Sequence, residues 1–256
     1  MIPSLLTGLL WLVGVLFLFL AAQRWLHRQI HAILLMTTRR PNLSLGLFSL
    51  IFFPGVLLHE TSHFLMALLL RVRTGRFSLL PHVLPDGTLR LGYVETARTD
   101  VLRDALIGTA PLVTGGSVVI LIGIYLIPVV PLFGWINQGK WDLFWAALRT
   151  LPAQPDFWLW FYLGFAISST MLPSASDRRA WLPMAIPLVI LAGLAVFAGA
   201  GPWLVEHLAP GLETLVSSLM MTFAISLAAH LALGLPIGLI AALVSRMTGL
   251  RVVEPD

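Results

Sequence analysis

Cysteine is absent from the 256 residues, which excludes disulfides and any thiolate metal site and leaves the redox compartment unreadable. Charge is also scarce, at 11% of residues, where a soluble domain carries roughly a quarter. Together with 58% hydrophobic residues and a mean hydropathy of +0.90, that scarcity places the chain in the membrane class. No polar stretch is long enough to be a soluble domain, so residues 1–256 read as one integral membrane domain with short loops. The formal charge of +4 comes from loop arginines, which suits anionic lipid head groups. Their dispersal between apolar runs argues against nucleic acid as a partner.

A helix needs about twenty apolar residues to cross a bilayer, and about six segments qualify. The first, Pro3 to Ala22, lacks a basic n-region and a cleavage site, so it reads as a retained helix rather than a signal peptide. Arg24, His27, Arg28, His31, Arg39 and Arg40 then punctuate a segment expected to lie as an interfacial helix. The second span runs from Leu43 to Leu70 with a kink at Pro54-Gly55, and the third from Leu102 to Ile127. After a loop with a short interfacial helix near Trp141–Leu148 come Phe157–Leu172, Trp181–Val205 and Leu215–Leu243. Between the second and third spans, apolar residues at 77–80 and 89–94 flank Pro85-Asp86-Gly87, a turn signal that predicts a β-hairpin against the membrane face. The expected fold is therefore all-α and polytopic with one small membrane-associated hairpin. Ten basic residues against six favour an inside N-terminus under the positive-inside rule. Trp135, Trp141, Trp158 and Trp181 near span ends read as interfacial anchors.

The second span contains His59-Glu60-Thr61-Ser62-His63, an HExxH motif inside an apolar helix. Residues four apart share a helix face, so both imidazoles can meet one ion. Glu60 points about 100° around the helix from His59, where it can reach a metal-bound water without taking a coordination position. Two neutral nitrogen ligands and one general base are the physical content of this motif. In a soluble helix it is often only a solvated face. At bilayer depth each ionisable group costs a few kcal/mol, roughly, and three within five residues call for a compensating cation. Catalytic zinc keeps three protein ligands plus water, and without cysteine the third must come from elsewhere. The candidates are His230, Asp177, Asp142, Asp156 and the Glu206-His207 pair. Asp177 stands out because it follows Pro173 at the break where a short span ends, irregular backbone that membranes tolerate where it lines a cavity. Its bland alternative is a helix cap or an ion pair with Arg178 or Arg179. His230 among small residues reads first as a buried histidine bonded to a neighbouring helix.

HExxH in a transmembrane helix, then a hairpin, then a broken span carrying an aspartate, resembles the site-2 protease family of intramembrane zinc metalloproteases. The resemblance covers about residues 43–179 as a protease-like core, with residues 1–40 and 181–250 as peripheral helices. In that family an NPxPxxDG-type motif completes the zinc site. Here Ser168-Ser169-Thr170-Met171-Leu172-Pro173-Ser174-Ala175-Ser176-Asp177 keeps the proline-to-aspartate order, with a shorter spacing and no following glycine. Gly108-Thr109-Ala110-Pro111 is similar to the family's small-residue-plus-proline segment, and also reads as an ordinary kink. The resemblance implies zinc held by His59, His63 and Asp177, Glu60 as catalytic base, and hydrolysis of a transmembrane protein substrate unwound beside the hairpin. For so compact a chain a bacterial inner (plasma) membrane is the expected location. A catalytically silent scaffold or subunit of a larger membrane complex is the competing expectation. A metal transporter would need ligands along several helices, and only His230 hints at one.

Overall fold

The computed structural model describes residues 2–83, 89–127 and 129–250. It is predominantly helical. Helix α1 is Ile2–Thr38 and α2 is Pro41–Leu69; strands β1 (Thr74–Ser78), β2 (His82–Val83), β3 (Leu89–Arg90) and β4 (Tyr93–Thr96) follow. Helix α3, Val101–Leu121, runs on through a π-helical turn at Ile122–Leu126. Then come α4 (Val129–Asn137), α5 (Trp141–Thr150), α6 (Phe157–Ser168), α7 (Trp181–Ala195) and α8 (Gly201–Thr248).

Four helical stretches are long and apolar enough to cross a membrane: Ser4–Thr38, Pro41–Leu69, Val101–Leu126 and Trp181–Thr248. Leu10, Phe17, Val189, Phe197 and Leu235 stand exposed on them, an apolar surface far larger than a soluble monomer carries. The chain is compatible with an integral membrane protein on that ground. The six expected spans are not all separate elements. Helix α6 has 12 residues, too few to span alone, and is followed by the irregular segment 169–180. The two segments expected as Trp181–Val205 and Leu215–Leu243 belong to one helical stretch, interrupted where Gly199 takes φ 88°.

The expected interfacial helix after Ala22 is also a continuation, not a separate element, because α1 runs unbroken to Thr38. No proline or glycine interrupts residues 15–40. The polar residues there are spread around the helix: Arg24 and Arg28 are exposed, while Gln23, Leu26 and Ile30 turn inward. His27 lies against Phe48 and Phe52, with ring centroids 5.7 and 4.6 Å away. Helix α2 starts at Pro41 after the Arg39-Arg40 turn, in which Arg39 has φ 54°, and it returns antiparallel to α1. Pro54 removes a donor inside α2, and the Tyr162 hydroxyl donates to the Ile51 carbonyl at 3.0 Å beside that disturbed turn.

The hairpin forms in two antiparallel pieces. Thr74 faces Thr96, Phe77 faces Val94 and Ser78 faces Tyr93, with an irregularity between Thr74 and Phe77; farther out, His82 faces Arg90 and Val83 faces Leu89. The Pro85-Asp86-Gly87 turn lies outside the described residues. The hairpin also packs into the helical core. Leu79 and Leu91 pack onto the cluster of Leu26, Ile30, Phe48, Phe52, Val56 and Phe165.

Helices α1 and α8 lie side by side and parallel. Ser4 donates to Glu213 at 2.6 Å, Gly8 faces Val216, Phe19 stacks on Phe223, and Trp25 covers Gly234 and Gly238. Phe19, Val119, Ile167, Met171, Phe223 and Ile225 join α1, α3, α6 and α8 in a second core. In a bilayer, where lipid tails are as apolar as these side chains, such contacts would hold helices together by close packing and interhelical hydrogen bonds rather than by escape from water.

Candidate metal centre

The histidines sit one turn apart on α2, and two close backbone approaches bring their surroundings to them. Gly55 lies one turn before His59 where α2 crosses α6. A Cβ at 55 would strike the Ala166 carbonyl and the Thr170 hydroxyl. The missing side chain therefore lets the unwinding end of α6 reach the motif, the small-residue crossing typical of membrane helices. Gly108 does the same on α3, where a Cβ would strike the backbone carbonyl of Asp177. The loop carrying Asp177 is thereby laid against α3, directly over Ile107 and His63.

The result is a convergent triad. His59, His63 and Asp177 each offer a ligand atom, and these atoms lie within 4.8 Å of one another. His59 Nε2 and His63 Nε2 are 3.1 Å apart, while His63 Nε2 is 3.4 Å from Asp177 Oδ1 and His59 Nε2 is 3.7 Å from Oδ2. Ligands about 2.0–2.1 Å from a tetrahedral ion stand about 3.3 Å apart, so the three edges fit one small cation. The outer nitrogens are equally well placed. His59 Nδ1 donates to the Thr170 carbonyl at 2.7 Å and His63 Nδ1 to the Ile107 carbonyl at 2.8 Å. Each ring thus carries its proton on Nδ1 and turns the Nε2 lone pair inward, the arrangement that outer-shell partners impose on metal-ligating histidines. Two lone pairs at 3.1 Å repel unless a cation or a proton lies between them. The triad can hold a metal ion.

Asp177 is held in place by its own loop. The Ser174 amide and hydroxyl donate to its Oδ2 at 2.8 and 2.7 Å. The expected alternative partners are engaged elsewhere: Arg179 grips Asp104 of α3 at 2.9 and 3.2 Å, and the Arg178 side chain donates to the Ser174 carbonyl.

Glu60 is buried, at 7% exposure, and is not one of the three residues of the metal-capable group. The hairpin covers it: a Cβ at Gly92, next to β4, would lie 2.9 Å from Glu60 Cγ and 3.1 Å from a Val56 methyl. Among the described residues, His230, Asp142, Asp156, Glu206 and His207 lie outside the metal-capable group. His230 is a buried partner of α6, with Nδ1 donating to the Ser226 carbonyl at 2.7 Å and Nε2 3.0 Å from Ser169 Oγ. His207 bonds its own helix at Trp203.

The two carbonyl acceptors, at Ile107 and Thr170, and the Asp104–Arg179 clamp are not legible in the sequence. Every residue has a carbonyl, so those acceptors leave no mark in a sequence. Gly108 was visible as part of a small-residue segment, but what it lets through was not.

No family model matches the chain, and neither the curated proteins nor the solved structures contain a match to it.

Proposed function

We propose that the chain is an intramembrane zinc metalloprotease, similar in its working parts to the site-2 protease family. One observation carries the reading: two histidines four residues apart aim Nε2 at one carboxylate while their Nδ1 atoms are fixed by backbone carbonyls, inside a helix apolar enough to span a bilayer. Zinc suits a nitrogen–nitrogen–carboxylate donor set with a fourth position left for water or substrate. Bound there, it would supply a polarised scissile carbonyl and an acidified water.

The remaining roles belong to this chain. His59, His63 and Asp177 would hold the ion. Glu60, buried beside the triad, takes the proton of the attacking water and returns it to the departing amine. Gly92 lets the hairpin close over Glu60 without displacing it, which limits bulk water at the base. The hairpin's strands offer backbone groups to an extended substrate segment, which would add as a further strand.

The parallel packing of α1 and α8 bears on the topology. Successive spans alternate in direction, so parallel first and last spans require an odd number of crossings. The reading takes five: α1, α2, α3, α6 with its descending segment, and the later part of α8. Helix α7 then begins and ends on the hairpin side. On this reading the N-terminus and hairpin share one side of a bacterial inner membrane and Thr248 lies on the other.

Elemental mass spectrometry of detergent-purified protein tests the reading. About one zinc per chain is expected, lost in His59→Ala, His63→Ala and Asp177→Ala and kept in Glu60→Gln. Cleavage of a transmembrane substrate library should vanish in Glu60→Gln. A wild-type protein without metal after chelator-free purification overturns the metalloprotease. Metal without Glu60-dependent cleavage leaves a metal-bearing membrane scaffold.

A further inference from the structure

We infer that Gln23 of α1 and His230 of α8, acting through Ser169, are positioning residues for the metal centre. The inference rests on the metal-site reading above and extends it to helices outside the 43–179 core. Its starting point is the end of α6. The helix stops at Ser168, and the next two carbonyls each take a side-chain donor from a different helix. Gln23 Nε2 donates to the Ser169 carbonyl at 2.6 Å. His59 Nδ1 donates to the Thr170 carbonyl at 2.7 Å.

The Ser169 side chain is held as well. His230 Nδ1 donates to the Ser226 carbonyl, so its Nε2 is an acceptor and the Ser169 hydroxyl must donate to it, at 3.0 Å. The direction of the Ser169–His230 bond is thereby fixed. His230 is 1% exposed, Ser169 5% and Gln23 9%, so these bonds form inside the protein. Phe19 and Phe165 wall His230 in, with ring centroids 5.1 and 5.0 Å away. A buried polar network with every member satisfied rigidifies the backbone that it touches.

The backbone in question is the peptide that orients His59. With the Ser169 carbonyl held from α1 and its hydroxyl from α8, the direction of the adjoining Thr170 carbonyl is set. That carbonyl in turn sets the rotation of the His59 ring and the aim of Nε2. Gln23 and His230 touch neither the ion nor a ligand atom. They act one step farther out, on the acceptor of a ligand, where loss of a partner typically costs about 10- to 100-fold in metal affinity. This also gives α1 and α8 a task that the core helices cannot perform themselves.

The test compares zinc affinity, measured by chelator competition on the full chain in detergent, with the visible absorption of the cobalt-loaded protein. His230→Phe keeps the apolar packing and removes the acceptor; Gln23→Leu removes the donor. Both are expected to bind zinc about 10- to 100-fold more weakly and to shift the cobalt bands. His230→Gln, which restores an acceptor, should recover most of the affinity. His207→Phe, bonded only to its own helix, should match wild type. A purely structural role would lower thermal stability and leave the cobalt spectrum of the folded fraction unmoved. Wild-type affinity and wild-type bands in both His230→Phe and Gln23→Leu overturn the inference. Should either variant fail to fold, Ser169→Ala deletes only the hydroxyl and carries the same expectation. A wild-type protein that binds no zinc sinks the metal-site reading itself, a result distinct from variants that bind as well as wild type.

Discussion

Alanine at position 108 would place its methyl group on the backbone carbonyl oxygen of Asp177. A normal carbon–oxygen contact needs more room, so either α3 or the loop must retreat by roughly an ångström. Helix α3 is the less able to move, since Ala105, Ile107, Ala110 and Val119 on the same helix are buried. The loop yields, and Asp177 goes with it. Overpacking of this kind costs about 1–3 kcal/mol of stability. The larger consequence is functional: a ligand moved by about an ångström no longer meets two histidines fixed by their own carbonyl bonds, and misplacement on that scale costs about 100-fold in rate. Gly108→Ala is therefore expected to retain its helical content, to bind zinc at least about tenfold more weakly, and to cleave at about one hundredth of the wild-type rate. Gly14→Ala is the control. Nothing lies within 4 Å of a Cβ there, and replacing a mid-helix glycine gains up to about 1 kcal/mol. Metal content by elemental mass spectrometry and thermal unfolding by circular dichroism read both effects. A Gly108→Ala protein with wild-type metal affinity would refute the claim that this close approach places the third ligand.

Because the chain has no cysteine, single cysteines report sidedness directly: Arg76→Cys and Met247→Cys should react with an impermeant maleimide from opposite faces of sealed vesicles, and labelling from the same face would refute the five-crossing topology. The Asp104–Arg179 pair ties the Asp177 loop to α3. With Arg179 half exposed it contributes up to about 1 kcal/mol, so Arg179→Gln should loosen the loop to limited proteolysis, and the charge-swapped double variant should restore protection. Asp100 caps α3 by accepting from the Arg103 amide at 3.0 Å, and that hydrogen bond holds its carboxyl below the ordinary value. A depressed carboxylate contributes stability that is complete at neutral pH and is lost as pH falls through its folded value. Asp100→Ala should therefore lower stability at pH 7 and narrow its difference from wild type in acid, which pH-dependent unfolding will show; a gap independent of pH would contradict it.

Much of the membrane architecture was legible because it is written locally. The bounds of α2 differ from the expected second span by only a residue or two, with Pro54 inside as anticipated, and the strand pairing flanks the anticipated turn. The expectation went wrong where local signals mislead. Arg24, His27, Arg28 and His31 look interfacial in a hydropathy reading, yet two histidines of that set face aromatic rings of α2. The break between the last two helical segments falls at Gly199 rather than in a loop, because one left-handed glycine bends a helix without ending its apolar run.

By itself the sequence determined the apolar, helix-dominated character of this chain and the pair of histidines at its centre. Composition decides the first, and the second depends only on a spacing of four along one helix. The tertiary structure alone decided what completes the site. Asp177 lies far along the chain from His63, and the Thr170 carbonyl that orients His59 is 111 residues away from it. No periodicity joins residues so distant. They meet because glycines at 55 and 108 let backbones approach, and because α1 and α8 pair in parallel around the end of α6. Close packing of that kind depends on which surfaces fit together, which becomes readable only after the helices have met.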